Sequence, residues 1–261
     1  MKFPMRRILV TNDDGVHAPG IAALAAALAP LGEVTVVAPH HESSAIGHAL
    51  TLARPLRLEE IRPRVYMVDG TPTDCVNVAI THVLTAPPDL VVSGINTGWN
   101  IGDDVTYSGT VSGALEGALL GVPSIAVSTE RRRRSPRHVE YDFPPAALAA
   151  RVVAEAVLDR GLPKNTFLNV NVPFGPNKGV RVTVQGKRNH VTEVEERLDP
   201  RGRRYFWIEE GQNDWEPHDR SDFQAVRDGY ISVTPLQPDL TAFDALAYVE
   251  RLPFAVEEPA G

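Results

Sequence analysis

The chain has 261 residues and a mass of 28.4 kDa, room for one large α/β domain or two small ones. Hydrophobic residues at 43% and charged residues at 23% exclude disorder throughout, and no apolar run reaches the ~18–20 residues of a membrane helix. The net charge of −7 argues against a stable nucleic-acid complex or a membrane-surface role and leaves open a local site for a small phosphorylated ligand. The single cysteine, Cys75, makes no internal disulfide and cannot support a multi-cysteine metal site. The basic start (Lys2, Arg6, Arg7) precedes only Ile8–Val10 before Thr11-Asn12-Asp13-Asp14, too short and acidic for a signal-peptide core. A cytoplasmic protein is expected.

In chain order, Arg7–Thr11 reads as a strand, Pro19–Leu28 as an Ala/Leu helix and Glu33–Ala38 as a second strand. Val65–Val68 is a further strand, and Pro72–Leu84 a helix opened by Pro72 and Asp74, with Cys75 inside it as a small buried hydrophobe. Asp89–Ser93 is a strand, Gly109–Leu120 a helix of small residues, Pro123–Ser128 a strand, Pro145–Leu158 a helix and Phe167–Val172 a strand. Continuous apolar strands between helices predict a mostly parallel sheet covered on both faces. The expected fold is therefore a doubly wound α/β, Rossmann-like three-layer sandwich.

The pattern changes near residue 175. Val180–Gln185, Tyr205–Ile208 and Ile231–Thr234 read as strands separated by the charged segments 186–204 and 209–220, and Thr241–Val249 as a closing helix. The chain thus divides into a catalytic core, 1–175, and a β-rich C-terminal extension, 176–261, carrying either an arm shared between subunits or a plain surface hairpin.

In such a sheet, ligands lie outside the carboxyl ends of the strands. The loops there are Thr11–Gly15, Pro39–Ala45 and Gly94–Gly98. Adjacent carboxylates such as Asp13 and Asp14 repel unless a cation lies between them or one is protonated. A helix cap would need only one of them. With Ser44 and Asn96 they form an all-oxygen donor set suited to Mg²⁺ or Mn²⁺ rather than structural Zn²⁺, and Asn12 stands beside them as a donor to ligand. The segment Tyr107–Ala114 has small residues at a predicted helix start, so Ser108, Gly109 and Thr110 are candidates to hold a phosphate. Gly113, Gly117 and Gly121 equally suit close helix packing. The segment lacks the Gly-Lys-Ser/Thr ending of a P-loop. His40, His41 and His48 flank Ser44 and are candidate proton donors, and the Arg131–Arg134 run reads as a solvated basic loop or a polyanion contact.

Five ordered motifs, ILVTNDDG (8–15), SSAIGHALT (43–51), GTPTD (70–74), SGINTG (93–98) and SGTVSGALEG (108–117), resemble those of the SurE (survival protein) family, as does the late segment 221–236. The resemblance implies a Rossmann-like core, an extension that builds homodimers or homotetramers, and one divalent ion per subunit, Mg²⁺ or Mn²⁺. Metal ligands carried over from the family fall on Asp13, Asp14, Ser44 and Asn96. The implied activity is hydrolysis of nucleoside 5′- and 3′-monophosphates, with short polyphosphate as a further substrate. The Arg131–Arg134 run and the charge of 186–204 depart from the family pattern.

Three other readings compete. An aspartyl-phosphate phosphatase would space its carboxylates Asp-x-Asp, whereas Asp13 and Asp14 are adjacent. A dinucleotide-dependent dehydrogenase would need Gly-x-Gly-x-x-Gly after the first strand, where NDDGVHAPG stands. A nucleotide-binding regulator would take up nucleotide and metal but release no phosphate.

Overall fold

The computed structural model describes residues 5–135 and 138–254. The termini of both regions read from the sequence, and the basic residue Lys2, lie outside them. Among the described residues the strands are β1 (Arg7–Thr11), β2 (Glu33–Pro39), β3 (Leu58–Arg62), β4 (Val65–Val68), β5 (Leu90–Thr97), β6 (Ser124–Thr129), β7 (Arg132–Ser135), β8 (His138–Glu140), β9 (Phe167–Val172), β10 (Val180–Val182), β11 (Arg188–Leu198), β12 (Arg204–Trp215) and β13 (Ile231–Leu236). The α-helices are α1 (Pro19–Leu28), α2 (Pro72–Val78), α3 (Gly109–Leu119), α4 (Phe143–Arg160), α5 (Asp222–Arg227) and α6 (Leu246–Val249).

Nine strands form one sheet in the order β10-β13-β9-β6-β5-β1-β2-β4-β3. From β9 through β6, β5, β1 and β2 to β4 every neighbouring pair is parallel, while β3 and β13 join antiparallel. Helices α1 and α4 cover one face and α2 and α3 the other. In β1, Ile8 and Val10 enter the first core and Leu9 the second. Period-two alternation between two buried faces is why such strands read as unbroken apolar runs. The expected α/β, Rossmann-like sandwich is borne out.

Local chemistry sets the helix starts. Pro19 opens α1, and Thr71 and Asp74 form a reciprocal capping box on α2. The Ser108 side chain accepts from the Val111 amide at the start of α3. Gly113 and Gly117 let α3 lie close on the sheet: a Cβ at Gly113 would stand 2.8 Å from Ser93 Oγ, and one at Gly117 would collide with Ser124 Oγ.

Several elements depart from the sequence reading. The α2 segment changes to a wider π-helical turn over Ala79–Val83 rather than remaining one helix to Leu84. β5 runs on to Thr97, because hydrogen bonds to β6 continue past Ser93. The edge strand β3, the β7–β8 hairpin within the basic run and helix α5 were not anticipated. The charged segment after Gly186 is a long strand, β11, paired with β12. The predicted closing helix is a short 3₁₀ turn, Phe243–Ala245, followed by α6. β13 pairs with β9 and β10 pairs with β13, so the region after residue 175 adds two strands to the main sheet, while β11–β12 stands as its own two-stranded sheet.

Candidate active site

The carboxyl ends of β1, β2 and β5 converge on the first turn of α3. Asp13, 4% exposed, lies two residues past the end of β1, and its Oδ1 accepts a hydrogen bond from the Thr110 hydroxyl. A Cβ at Gly109 would lie 2.7 Å from Asp13 Cβ, so only glycine lets this helix start close on the carboxylate. Asp14 is half-buried, with the Thr97 hydroxyl 3.5 Å from its Oδ1 and its buried Oδ2 without a protein partner. Buried Asn12 donates to the Gly15 carbonyl at 3.0 Å, and its Oδ1 is likewise unpaired.

Electrostatics follow from this crowding. Burial pushes the Asp13 carboxyl above its ordinary range despite the Thr110 hydrogen bonds, which favour the charged form. Burial, then the Asp13 charge, then Glu42, push Asp14 up to about 6. Two unfavourable carboxylates and two orphaned oxygens, side by side, are an arrangement that a cation relieves. The donors are oxygens only, which suits a hard divalent ion.

Ser44 lies on the loop after β2. The Ser43 amide donates to the Asp13 carbonyl at 2.8 Å and the Gly47 amide to the Tyr107 carbonyl at 2.9 Å. The loop therefore bridges the β1 end and the approach to α3. Ser44 itself is exposed, its hydroxyl donating to Glu42 Oε1 at 2.7 Å rather than facing the aspartates. Asn96, near the end of β5, donates through Nδ2 to the Gly98 carbonyl at 2.8 Å, which directs its Oδ1 away from that bond.

At α3, the Ser108 oxygen accepts from Val111 and keeps its own proton to give. Gly109 and Thr110, in the first turn, have amides with no intrahelical partner. The Thr110 hydroxyl is turned to Asp13, so Thr110 acts first on that carboxylate. His40 and His41 are exposed and stacked on each other, ring centroids 3.9 Å apart. His48 instead meets buried Glu116 of α3, a contact sequence reasoning missed along with Thr97 and Glu42. The one signal for Glu116 was an acid among the small residues of SGALEG. The Arg131–Arg134 run enters the β7–β8 hairpin after β6, with the Arg132 guanidinium 4.4 Å from the Phe174 ring centre and Arg134 2.9 Å from Glu140. Cys75 is buried in α2, as expected.

The family model described as "Survival protein SurE" matches residues 8–192, most of the chain and all the loops just described. The chain belongs to the SurE family. It is 54% identical over 244 residues to a 5′-nucleotidase SurE of Syntrophotalea carbinolica, covering 94% of this chain and 96% of that one. A 5′-nucleotidase SurE of Geobacter sulfurreducens is 53% identical, with 93% and 92% covered. The crystal structure of a SurE protein from Aquifex aeolicus superposes with a TM-score of 0.82 at 43% identity, covering 94% of this chain and 98% of that one. The resemblance of the five motifs to the SurE family is thereby confirmed across nearly the full length.

Proposed function

We propose that this SurE chain is a metal-dependent 5′-nucleotidase that hydrolyses nucleoside 5′-monophosphates to nucleoside and phosphate. The observation that carries this reading is the buried Asp13–Asp14 pair, with its unpartnered oxygens, facing the first turn of α3. Similarity above 50% to proteins named 5′-nucleotidase SurE supports the substrate class. Asp13, Asp14, Ser44 and Asn96 would hold one divalent ion, Mg²⁺ or Mn²⁺, with Ser44 turning from Glu42 to reach it. Such an ion supplies charge for a phosphate oxygen and a more acidic bound water.

The chain's own groups do the rest. Thr110 orients Asp13, and Asp14 positions the attacking water. The Ser108 hydroxyl and the Gly109 amide, at the positive end of α3, hold phosphate oxygens and stabilise charge as it develops, while Thr110 serves that site through the Asp13 carboxylate. Asn12 steadies the turn that presents both aspartates. We include 3′-monophosphates and short polyphosphate as further substrates, as the resemblance of the motifs to the SurE family implies.

The reading extends to assembly and setting. We take 1–175 as the catalytic core and 176–261 as the extension, with β11–β12 as an arm that joins subunits into a homodimer or homotetramer. The arm exposes Leu198 (63%), Phe206 (58%) and Ile208 (78%), apolar side chains that support a partner surface there. Among the described residues no helix is long and apolar enough to cross a membrane, and a single buried cysteine suits the reducing cytoplasm.

The test is phosphate release from a panel of nucleoside 5′- and 3′-monophosphates and tripolyphosphate, in EDTA and then with Mn²⁺ or Mg²⁺ restored. Release that vanishes in EDTA and returns with metal is the expected result. Nucleotide binding without release from any substrate, in folded protein, would overturn it in favour of a regulator.

A further inference from the structure

The loop that carries Ser44 is held at few points. Its backbone crosses from the Asp13 carbonyl to the Tyr107 carbonyl, and between these anchors Ala45 lies at φ 54° and Gly47 at φ 60°. A residue with a Cβ adopts that left-handed conformation only when its surroundings impose it. Neighbouring Ile46 is 40% exposed, so apolar burial is a weak candidate for what imposes it.

The strongest side-chain contact from the loop to the body of the protein is His48. Its Nε2 donates to Glu116 Oε2 at 2.7 Å, while Asn77 Nδ2 donates to Glu116 Oε1 at 2.6 Å. Asn77 is itself fixed to the Thr73 carbonyl at 3.1 Å. Glu116 is 7% exposed and sits two turns along α3 from Ser108. A buried carboxylate needs donors on both oxygens, and His48 is one of the two. The same helix therefore presents its first turn to Asp13 and, further along, receives the loop that carries Ser44.

We infer that the His48–Glu116 pair is the latch that holds the Ser44 loop beside the aspartates, which makes His48 a positioning residue for the metal shell. The inference rests on the reading that Asp13, Asp14, Ser44 and Asn96 bind a divalent ion. With the backbone fixed at Gly47 and His48, Ser44 needs only to turn its hydroxyl from Glu42. With the latch open, Ser44 must also be gathered in from a mobile loop, and metal affinity falls by that ordering cost.

Two measurements on the full chain test this, both independent of turnover: amide hydrogen exchange over residues 43–48 in metal-free protein, and Mn²⁺ affinity by titration calorimetry. In His48→Ala, exchange is expected to quicken in 43–48 and stay unchanged elsewhere, with Mn²⁺ bound about tenfold more weakly, the low end for groups that orient ligands. His48→Gln, whose amide still donates to Glu116, is expected to recover most of both, and it also serves if His48→Ala does not fold. Unchanged Mn²⁺ affinity in His48→Ala overturns the inference. Loop exchange unchanged in His48→Ala while phosphate release is lost overturns it too, in favour of proton transfer by His48. A wild-type chain that takes up no Mn²⁺ defeats the metal reading itself, and the latch is then judged on exchange alone.

Discussion

The Thr110 hydroxyl donates to Oδ1 of Asp13 across 97 positions of sequence. It joins the end of β1 to the first turn of α3, the two elements that carry the proposed metal-binding carboxylate and the proposed phosphate contacts. A hydrogen bond to a charged group contributes about 1.5–3 kcal/mol. Thr110→Val keeps the shape and removes the donor, so kcat/KM should fall about tenfold to a hundredfold, as for other groups that orient metal ligands. Thr110→Ser, which restores the hydroxyl, should recover most of it. Phosphate-release kinetics on both variants check this, with the KM and kcat components separated.

The carboxylate pair predicts an unusual pH dependence for the metal-free protein. Asp13 and Asp14 both have raised values, Asp14 to about 6 against an ordinary 3.8. Below about pH 4 both carboxyls are protonated folded or unfolded, and their preference for the neutral form costs nothing. As pH rises from there toward 6, the unfolded chain ionises first, so stability drains away across that window. These two groups therefore favour the folded state at pH 4 over pH 7. Asp14→Asn should flatten the decline in thermal midpoint between pH 4 and 7, and Mn²⁺ should raise the wild-type midpoint more at pH 7 than at pH 5, because protons compete with metal. Thermal melts with and without metal at each pH decide it.

The same pair explains what was legible beforehand. Asp13 and Asp14 follow, and Asn96 ends, strands buried on both faces, whose apolar runs are conspicuous, and the carboxyl-end rule then points at those positions. β11 was missed for the opposite reason. Val194–Leu198, with Glu195, Glu196 and Arg197 among them, are exposed, so no burial imposes on them the alternation that marks a strand. Glu116 was illegible because its partner lies 68 residues away, and only the packing of α3 brings them together. Ser44 was found by its place in the chain, yet its side-chain direction depends on Glu42, two residues off, which no periodicity reports.

Gly117 tests how far the site depends on helix packing. A Cβ there would collide with Ser124 Oγ and stand 3.0 Å from Val91 Cβ, pushing α3 off the sheet. Overpacking of this kind costs about 1–3 kcal/mol. Gly117→Ala should lower the urea midpoint accordingly and, by displacing Ser108–Thr110 from Asp13, reduce turnover in the fraction that remains folded. Gly98→Ala is the contrasting case, since nothing lies within 4 Å of its added Cβ and only φ +140° opposes it. Its cost is backbone strain without movement of α3, so any fall in turnover there should not be accompanied by lost contact between Thr110 and Asp13.

The arm yields the last expectation. Phe206 and Trp207 are adjacent on β12, so their side chains point to opposite faces of the hairpin, and both are more than half exposed. An interface that used one face alone would need only one of them. If the hairpin is clasped between subunits, Phe206→Ser and Trp207→Ser should each weaken assembly, and the double variant should run as a monomer by light scattering. At the root of the arm the Asp222 carboxylate accepts from the Gly102 and Gly186 amides at 2.9 Å each. That anchor fixes the segment leading into α3 and the root of the arm at the same carboxylate. A monomer produced by the double variant should therefore keep its Mn²⁺ affinity, because Asp222 remains in place within the same chain. Loss of Mn²⁺ binding together with assembly would mean that the neighbouring subunit completes the site.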